Sequence, residues 1–256
     1  LYLPASNPVR IAGGKENNCM SERKNKLPSD GKQARSVIDK FLDKVAATPA
    51  PVGGQGKGRL LFAMDATASR EPSWDHACQI QGEMFEATAA LGGLSVQLTY
   101  YRGFNEFRAT KWLDNSRALV RHMSAVYCLG GHTQIRKVLK HAIRETKREK
   151  LGALVFVGDC MEENVDDLCA MAGELGLLKV PAFMFHEGGE TQASLAFRQI
   201  ARLSGGAYLQ FDAHSAAQLK SLLAAVAVYA AGGRRALAKL GKRQGGAALQ
   251  ISHQVK

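Results

Sequence analysis

Short apolar runs that alternate with amphipathic segments constrain the fold of this chain more than any other feature. The first run, RLLFAMD, is short and almost wholly apolar, as expected of a strand buried on both faces. The strand candidates are residues 59–65, 94–101, 106–110, 153–159, 180–186 and 207–211. Segments with helical spacing lie at 73–91, 113–126, 132–150, 165–176, 191–204 and 215–230. This order predicts an α/β protein with a doubly wound, mostly parallel, Rossmann-like sheet and helices on both faces.

The segments on either side of this alternation differ from it in composition. Residues 1–28 are polar and contain Pro and Asn, so we expect a disordered lead. Residues 29–58 combine an amphipathic helix at 30–46 with a Pro- and Gly-rich linker. Residues 59–231 carry the strand and helix pattern and are expected to form one domain, and residues 232–256 form a basic tail.

The positive charge of the chain lies in its flanks. The formal net charge of the 256 residues is +11. Residues 1–58 hold 10 basic and 5 acidic side chains, and residues 232–256 hold 6 basic and no acidic ones. Residues 59–231 hold 18 of each and are neutral. The central domain therefore lacks the charge excess of a nucleic-acid-binding domain, and binding to nucleic acid is expected only through the basic tails.

The N-terminal sequence and the cysteines indicate a cytoplasmic protein. Residues 1–19 show no apolar core of the kind that a secretory signal carries. The chain also contains no run of about 18 apolar residues, which is the length that a membrane span needs. Five cysteines without a CxxC pair are typical of reduced thiols and not of a disulfide framework. Because Leu1 is not Met, we expect that translation starts at Met20 or that the residues before it are a lead.

Acidic and hydroxyl side chains follow two of the apolar strands. The first strand ends in Asp65, and Thr67 and Ser69 follow at a spacing of two, so that a tight turn brings the three groups towards one point. A later apolar strand ends in Asp159, and the Gly-rich turn GGHT places Thr133 before a helix. In doubly wound sheets, ligands bind outside the carboxyl ends of the strands. A set of two carboxylates and three hydroxyls favours a hard cation such as Mg²⁺.

These residues resemble the metal-ion-dependent adhesion site (MIDAS) of von Willebrand factor A (VWA) domains. The pattern of that family is Asp-x-Ser-x-Ser after the first strand, a Thr in a later loop and an Asp after the fourth strand. The sequence DATAS keeps a hydroxyl, that of Thr67, at the first Ser position. The resemblance extends over about residues 59–230 in the order of elements. The loops GGHT and GDC depart from the usual loops of the family through His132 and Cys160, without removing a ligand.

The resemblance implies a ligand set and a function. Thr67 and Ser69 would coordinate the ion directly, and Thr133 would do so in one conformational state. Asp65 and Asp159 would lie close to the ion, often through water. The ion would be Mg²⁺, or else Mn²⁺ or Ca²⁺, with an open position for a carboxylate from a partner protein. The implied function is metal-dependent protein–protein binding without catalysis, and bacterial intracellular members of the family often serve as adaptors for AAA+ ATPases.

Three other interpretations of these residues stay open. In the first, Asp65 and Asp159 only cap the helices that follow them, since carboxylates favour helix N-termini. In the second, the two carboxylates hold a catalytic Mg²⁺ in a phosphatase-like hydrolase, although Thr67 stands where haloacid-dehalogenase-type enzymes place a second Asp. In the third, the metal site is inactive and the chain is a scaffold that binds nucleic acid through its basic tails.

Overall fold

Six strands form one sheet in the computed structural model, which describes residues 57–71, 93–211, 223–233, 236 and 239. The strands are β1 (Gly58–Asp65), β2 (Leu94–Arg102), β3 (Glu106–Ala109), β4 (Ala153–Gly158), β5 (Ala182–Glu187) and β6 (Ala207–Phe211). Their order in the sheet is β3-β2-β1-β4-β5-β6. Strand β3 is antiparallel to β2, and the other neighbouring pairs are parallel. The predicted doubly wound, mostly parallel sheet is confirmed.

Helices lie on both faces of this sheet. They include α1 (Ser116–Ser124), α2 (Ile135–Arg148), α3 (Val165–Leu177) and α4 (Thr191–Ser204), and residues 223–233 are also helical. A short 3-10 turn, Ala68–Arg70, follows β1. The predicted helices at 30–46 and 73–91 lie outside the described residues, as does the first part of the helix predicted at 215–230. Within the described part of the chain, no helix has the length and apolar character that crossing a bilayer requires.

The central strands are buried on both faces, which explains why they are almost wholly apolar in sequence. Leu60 and Phe62 of β1 pack in the apolar cluster that contains residues of α1 and of 223–230. Leu61 and Ala63 belong to a second cluster, which contains residues of α2, α3 and α4. Packing from both sides therefore holds β1 in place, and its carboxyl end is a rigid base for a site.

The start of β5 differs from the prediction. The apolar run 180–186 predicts a strand from Val180, whereas β5 begins at Ala182. The N–H of Val180 donates to the carbonyl of Leu175 near the end of α3, and Pro181 has no N–H to donate to the sheet. Both residues are buried like the strand that follows, so apolar character alone could not separate them from it.

The chain changes its direction of travel across the sheet next to β1. From β1 it moves outwards to β2 and β3, and it then returns to place β4 on the opposite side of β1. The register aligns the two central strands, with Met64 opposite Val157. This topological switch leaves the carboxyl ends of β1 and β4 side by side, which is where ligands bind in sheets of this kind.

Candidate metal centre

Asp65 ends β1 and its side chain is fully buried. Its Oδ1 accepts a hydrogen bond from the N–H of Thr67 at 2.8 Å, and its Oδ2 accepts one from the hydroxyl of Tyr101 at 2.9 Å. Burial raises the pKa of Asp65, the hydrogen bonds from Thr67 and Tyr101 oppose that rise, and the nearby charge of Asp159 adds to it. The carboxylate is therefore fixed in orientation and deprived of water, which favours a cation beside it.

The two hydroxyls after Asp65 lie together, as their spacing predicts. Oγ1 of Thr67 and Oγ of Ser69 are 3.1 Å apart and share a hydrogen bond. The 3-10 turn after β1 allows this contact, because it folds the chain back within two residues. Thr67 is buried and Ser69 is exposed, so the pair extends from the interior to the surface.

Asp159 follows β4 and lies next to Asp65. A Cβ placed on Gly158 would lie 3.5 Å from the Cβ of Asp65, so the ends of the two strands are in contact. The Oδ1 atom of Asp159 is buried, and no described group donates a hydrogen bond to it. A buried carboxylate oxygen without a donor is costly, and a bound cation is one way in which a protein satisfies such an atom.

A chain of hydrogen bonds holds the backbone at Asp159. Nε2–H of His186, on β5, donates to the carbonyl oxygen of Asp159 at 3.2 Å. Nδ1 of the same ring then accepts from the hydroxyl of Tyr208 at 3.0 Å, and Oγ of Ser194 lies 3.1 Å from that hydroxyl. His186 is fully buried, and burial lowers the pKa of its imidazole. The neutral ring is therefore part of the scaffold behind Asp159.

Thr133 is joined to the loop that follows Asp159. Its Oγ1 accepts a hydrogen bond from the N–H of Glu162, and its own N–H donates to Oε2 of Glu162, both at 3.0 Å. Glu163 accepts hydrogen bonds from the first two N–H groups of α2. These contacts join Thr133 to the loop after β4, and none of the described hydrogen bonds joins it to Asp65.

The two glycines of the GGHT loop have different roles. A Cβ on Gly131 would lie 1.9 Å from the carbonyl oxygen of Gly103, whereas a Cβ on Gly130 would meet nothing within 4 Å. The N–H of His132 donates to the same carbonyl at 3.2 Å, and the N–H of Gly103 donates to the carbonyl of Leu129 at 3.4 Å. The loop before α2 therefore packs backbone against backbone on the turn after β2, and only glycine fits at position 131.

Sequence reasoning missed three residues of this region. Arg70 is 1% exposed and forms an ion pair with Glu187 at the end of β5. Nothing in the sequence around Arg70 marks it as buried, because its partner lies on a strand far along the chain. Tyr101 and His186 were placed in strands by their sequence pattern, which carries no information on their partners across the sheet.

The side chains predicted as ligands are of the chemical type that a hard divalent cation prefers. Their donors are all oxygen atoms, from Asp65, Thr67, Ser69, Thr133 and Asp159. Among the residues that the structure describes, no group of three or more His, Cys, Asp or Glu side chains is placed to hold an ion. A cation at the ends of β1 and β4 would therefore need hydroxyl ligands besides the two carboxylates, of which Asp159 has a buried oxygen without a described donor.

Exposed side chains lie on the loops after β2 and α1, and the N–H of Leu129 on the second loop donates to the carbonyl of Ala66 beside Asp65 at 3.0 Å. Phe104 is 77% exposed, Tyr127 is 61% exposed and Leu129 is partly exposed. Phe104 packs edge to face on His132 with ring centroids 5.3 Å apart. We refer to Phe104, Tyr127, Leu129 and His132 as the rim. Large exposed apolar side chains that lie together mark interaction surfaces in soluble proteins.

Comparison with known proteins identifies the fold. No family sequence profile and no curated protein matches the chain. The VWA domain of SpRpn10 aligns with a TM-score of 0.52 at 11% identity, over 67% of this chain and 94% of that one. Proximal thread matrix protein 1 (PTMP1) from the mussel byssus aligns with a TM-score of 0.54 at 14% identity, over 67% of this chain and 48% of that one. A structure of PTMP1 with a zinc-occupied MIDAS motif aligns with a TM-score of 0.52 at 13% identity, with the same coverage.

The chain therefore has the VWA fold, which the resemblance of its DATAS motif predicted. Identities this low show the fold alone, and what those proteins bind is not carried over to this chain by the alignment. The alignment covers nearly all of the SpRpn10 domain and about half of PTMP1.

Proposed function

We propose that the domain predicted at residues 59–231 is a protein-binding module whose ligand site is completed by a divalent cation. The cation is Mg²⁺ in this proposal, with Mn²⁺ and Ca²⁺ as alternatives, and its ligands are Asp65, Thr67, Ser69, Thr133 and Asp159. When bound, the cation supplies an open coordination position for a carboxylate of the partner protein. The observation that carries the proposal is the buried Oδ1 of Asp159, which has no described donor and lies beside Asp65.

The residues around the ligands prepare the site for an ion. Tyr101 and the N–H of Thr67 each donate to one oxygen of Asp65 and hold its carboxylate in one orientation. His186 holds the backbone of Asp159 through its carbonyl. Ligands that are held in place before the ion arrives lose less conformational entropy when it binds. This preparation supports a binding role for the site.

The rim supports a protein as the partner. Phe104 and Tyr127 expose aromatic rings on the two loops that flank the candidate site. Aromatic residues are enriched in the parts of protein interfaces that contribute most to affinity. A partner that places a carboxylate on the cation would also cover these rings, and it would thereby gain apolar contact that a small anion cannot provide.

We extend the proposal to the setting of the protein. A module that binds a partner and catalyses no reaction acts as an adaptor, and the resemblance to bacterial VWA proteins suggests an assembly that contains an AAA+ ATPase. A cytoplasmic location is consistent with Cys128, Cys160 and Cys169, which are free thiols in the structure.

Calorimetry on the full chain tests the cation site. We expect the wild type to bind Mg²⁺ or Mn²⁺ at one site, and Asp65→Asn and Asp159→Asn to weaken binding at least about tenfold, because each removes one charge from the ligand set. Asp114→Asn is the matched control, because Asp114 is an exposed carboxylate that pairs with Lys57 at the amino end of β1. Equal binding by all four proteins, or binding by none, would contradict the proposal.

The alternative functions are tested on the same proteins. With Mg²⁺ and an aryl phosphate, the wild type should hydrolyse no more than Asp65→Asn does. Metal-dependent hydrolysis that Asp65→Asn abolishes would instead identify a phosphatase-like hydrolase. Salt-sensitive DNA binding that survives Asp65→Asn and disappears on deletion of residues 232–256 would identify the scaffold with an inactive metal site.

A further inference from the structure

Arg70 and Glu187 form a largely buried ion pair across the end of the sheet. Arg70 follows Ser69 in the turn after β1, and Glu187 is the last residue of β5 and only 14% exposed. Removing two charges from water is expensive, and replacement of a buried pair by apolar residues is often neutral or stabilising. Stability alone therefore does not explain the pair. Its position beside the proposed cation ligands suggests that it acts on the site.

The strand order places this pair around Asp159. Strand β4 lies between β1 and β5, so a contact from the turn after β1 to the end of β5 passes the end of β4. Gly158 is paired with His186 in the register, so Asp159 and Glu187 occupy neighbouring positions one residue further along. Adjacent strands are about 4.8 Å apart, so β1 and β5 are separated by two such spacings. The side chain of Arg70 spans this distance because the turn that carries it already folds over the strand ends.

Four charged groups therefore share one small region. Asp65, Asp159 and Glu187 carry three negative charges and Arg70 carries one positive charge, which leaves a net charge of −2. Burial lowers the pKa of Arg70, and the charges of Asp159 and Asp65 raise it again. One divalent cation brings this group of four side chains to neutrality.

We propose that Arg70 sets the charge of the site at −2, which lowers its affinity for a divalent cation and raises the affinity of the loaded site for a carboxylate. The inference rests on the proposed function, because it takes Asp65 and Asp159 as cation ligands. Without Arg70 the loaded site would keep a charge of −1 and would repel an anionic partner. With Arg70 the loaded site is neutral, and the partner's carboxylate meets the cation without that repulsion.

Four variants of the full chain separate charge from structural disturbance. In Arg70→Met the four groups carry −3, in Glu187→Gln they carry −1, and in the double variant Arg70→Met/Glu187→Gln they carry −2, as in the wild type. Arg70→Lys also keeps −2. Calorimetric titration with Mg²⁺ and Mn²⁺, together with circular dichroism of each protein, measures cation affinity and folding. The rise in melting temperature with added metal is the second readout.

We expect affinity to follow charge. Arg70→Met should bind about tenfold more tightly than the wild type, and Glu187→Gln about tenfold more weakly, by the Coulomb energy of one unit charge near the ion. The double variant and Arg70→Lys should both stay within about threefold of the wild type. A structural disturbance would weaken binding in every variant, and that result would overturn the inference.

The outcomes distinguish this inference from the proposed function. If the wild type binds metal through Asp65 but Arg70→Met binds no more tightly, the inference is wrong and the function stands. If only Arg70→Met binds metal, the inference is supported and the wild-type chain is not a metal-dependent module. If no protein binds metal, both are wrong. Should Arg70→Met fail to fold, the test compares Glu187→Gln with Arg70→Lys. We expect Glu187→Gln to bind the cation more weakly and Arg70→Lys to bind it as the wild type does. Equal binding by these two variants would overturn the inference.

Discussion

The hydroxyl of Tyr101 donates a hydrogen bond to Oδ2 of Asp65, from the end of one strand to the end of its neighbour. The two residues are register partners in β2 and β1, and both side chains are fully buried. Burial raises the pKa of Tyr101 well above its ordinary value, and the charge of Asp65 adds to the rise, so the phenol stays protonated and acts as the donor. The position of a proposed metal ligand therefore depends on a second strand.

Tyr101→Phe should lower both stability and cation affinity. The change leaves Oδ2 of Asp65 buried without its donor, which costs about 1–3 kcal/mol in the free energy of unfolding. Urea denaturation measures the stability, and calorimetry with Mg²⁺ measures the affinity. Tyr127→Phe is the matched control, because Tyr127 is exposed and its ring stays in place. If the two variants are equally stable, the bond to Asp65 contributes nothing measurable.

Gly131→Ala and Gly130→Ala should behave very differently. A methyl group at 131 meets the backbone of Gly103, so the loop must move, at a cost of about 1–3 kcal/mol and with weaker cation binding through displaced Thr133. A methyl group at 130 enters open space and should change the free energy of unfolding by less than about 0.5 kcal/mol. Parallel denaturation and metal titration of the two variants check this, and similar losses in both would contradict the close approach.

Stability should fall as the pH is lowered from about 7 to about 5.5. Burial lowers the pKa of His186 and of His141 in the folded chain, so below the ordinary pKa of about 6.5 the unfolded chain binds more protons than the folded one. The stability that each neutral imidazole contributes is complete above that pH and is lost progressively as the pH falls towards its folded pKa.

Urea denaturation at several pH values measures this dependence. His186→Gln and His141→Gln should each reduce the slope of unfolding free energy against pH, and an unchanged slope in both would show that neither group is responsible. Asp65 acts in the opposite direction, because its pKa is raised and its folded form takes up a proton more readily than its unfolded form. That contribution is common to the wild type and to both His variants, so it cancels when their slopes are compared.

Phe104→Ser should separate partner binding from metal binding. Its ring is exposed, so the free energy of unfolding should change by less than about 0.5 kcal/mol and the affinity for Mg²⁺ should not change. The measurement is the amount of partner protein that the immobilised chain retains in Mg²⁺ and releases in EDTA. We expect Phe104→Ser to retain less of it than the wild type does. Leu177→Ser on α3 is the control, because Leu177 is 86% exposed and lies outside the rim. A partner retained equally by both variants would exclude the rim as its binding surface.

The parts of the fold and site that depend on neighbours in sequence were predictable. Buried strands are apolar on both faces, so the run from Leu60 to Met64 identified β1 and the class of sheet. The contact between Thr67 and Ser69 arises within one turn, so the spacing of the residues sufficed to predict it. Asp159 was predicted to lie near Asp65 because the carboxyl ends of parallel strands meet at one edge, and the structure places the ends of these two strands in contact.

Contacts between distant segments were not predictable from the sequence. The bond between Tyr101 and Asp65 joins residues 36 positions apart and depends on the register of two strands. The pairing of Arg70 with Glu187 depends on β4 standing between β1 and β5, and periodicity does not determine that order. An arginine beside an exposed serine carries no sign of burial until the strand order is known.

The contact of Gly131 with Gly103 has a consequence for how partner choice can change. The two loops that bear the rim are joined through backbone groups, by the N–H of His132 on the carbonyl of Gly103 and the N–H of Gly103 on the carbonyl of Leu129. Side chains at 104, 127, 129 and 132 can therefore be exchanged without breaking the joint between the loops. Natural drift or a randomised library at these four positions can change the surface that a partner meets while the proposed cation ligands stay unchanged.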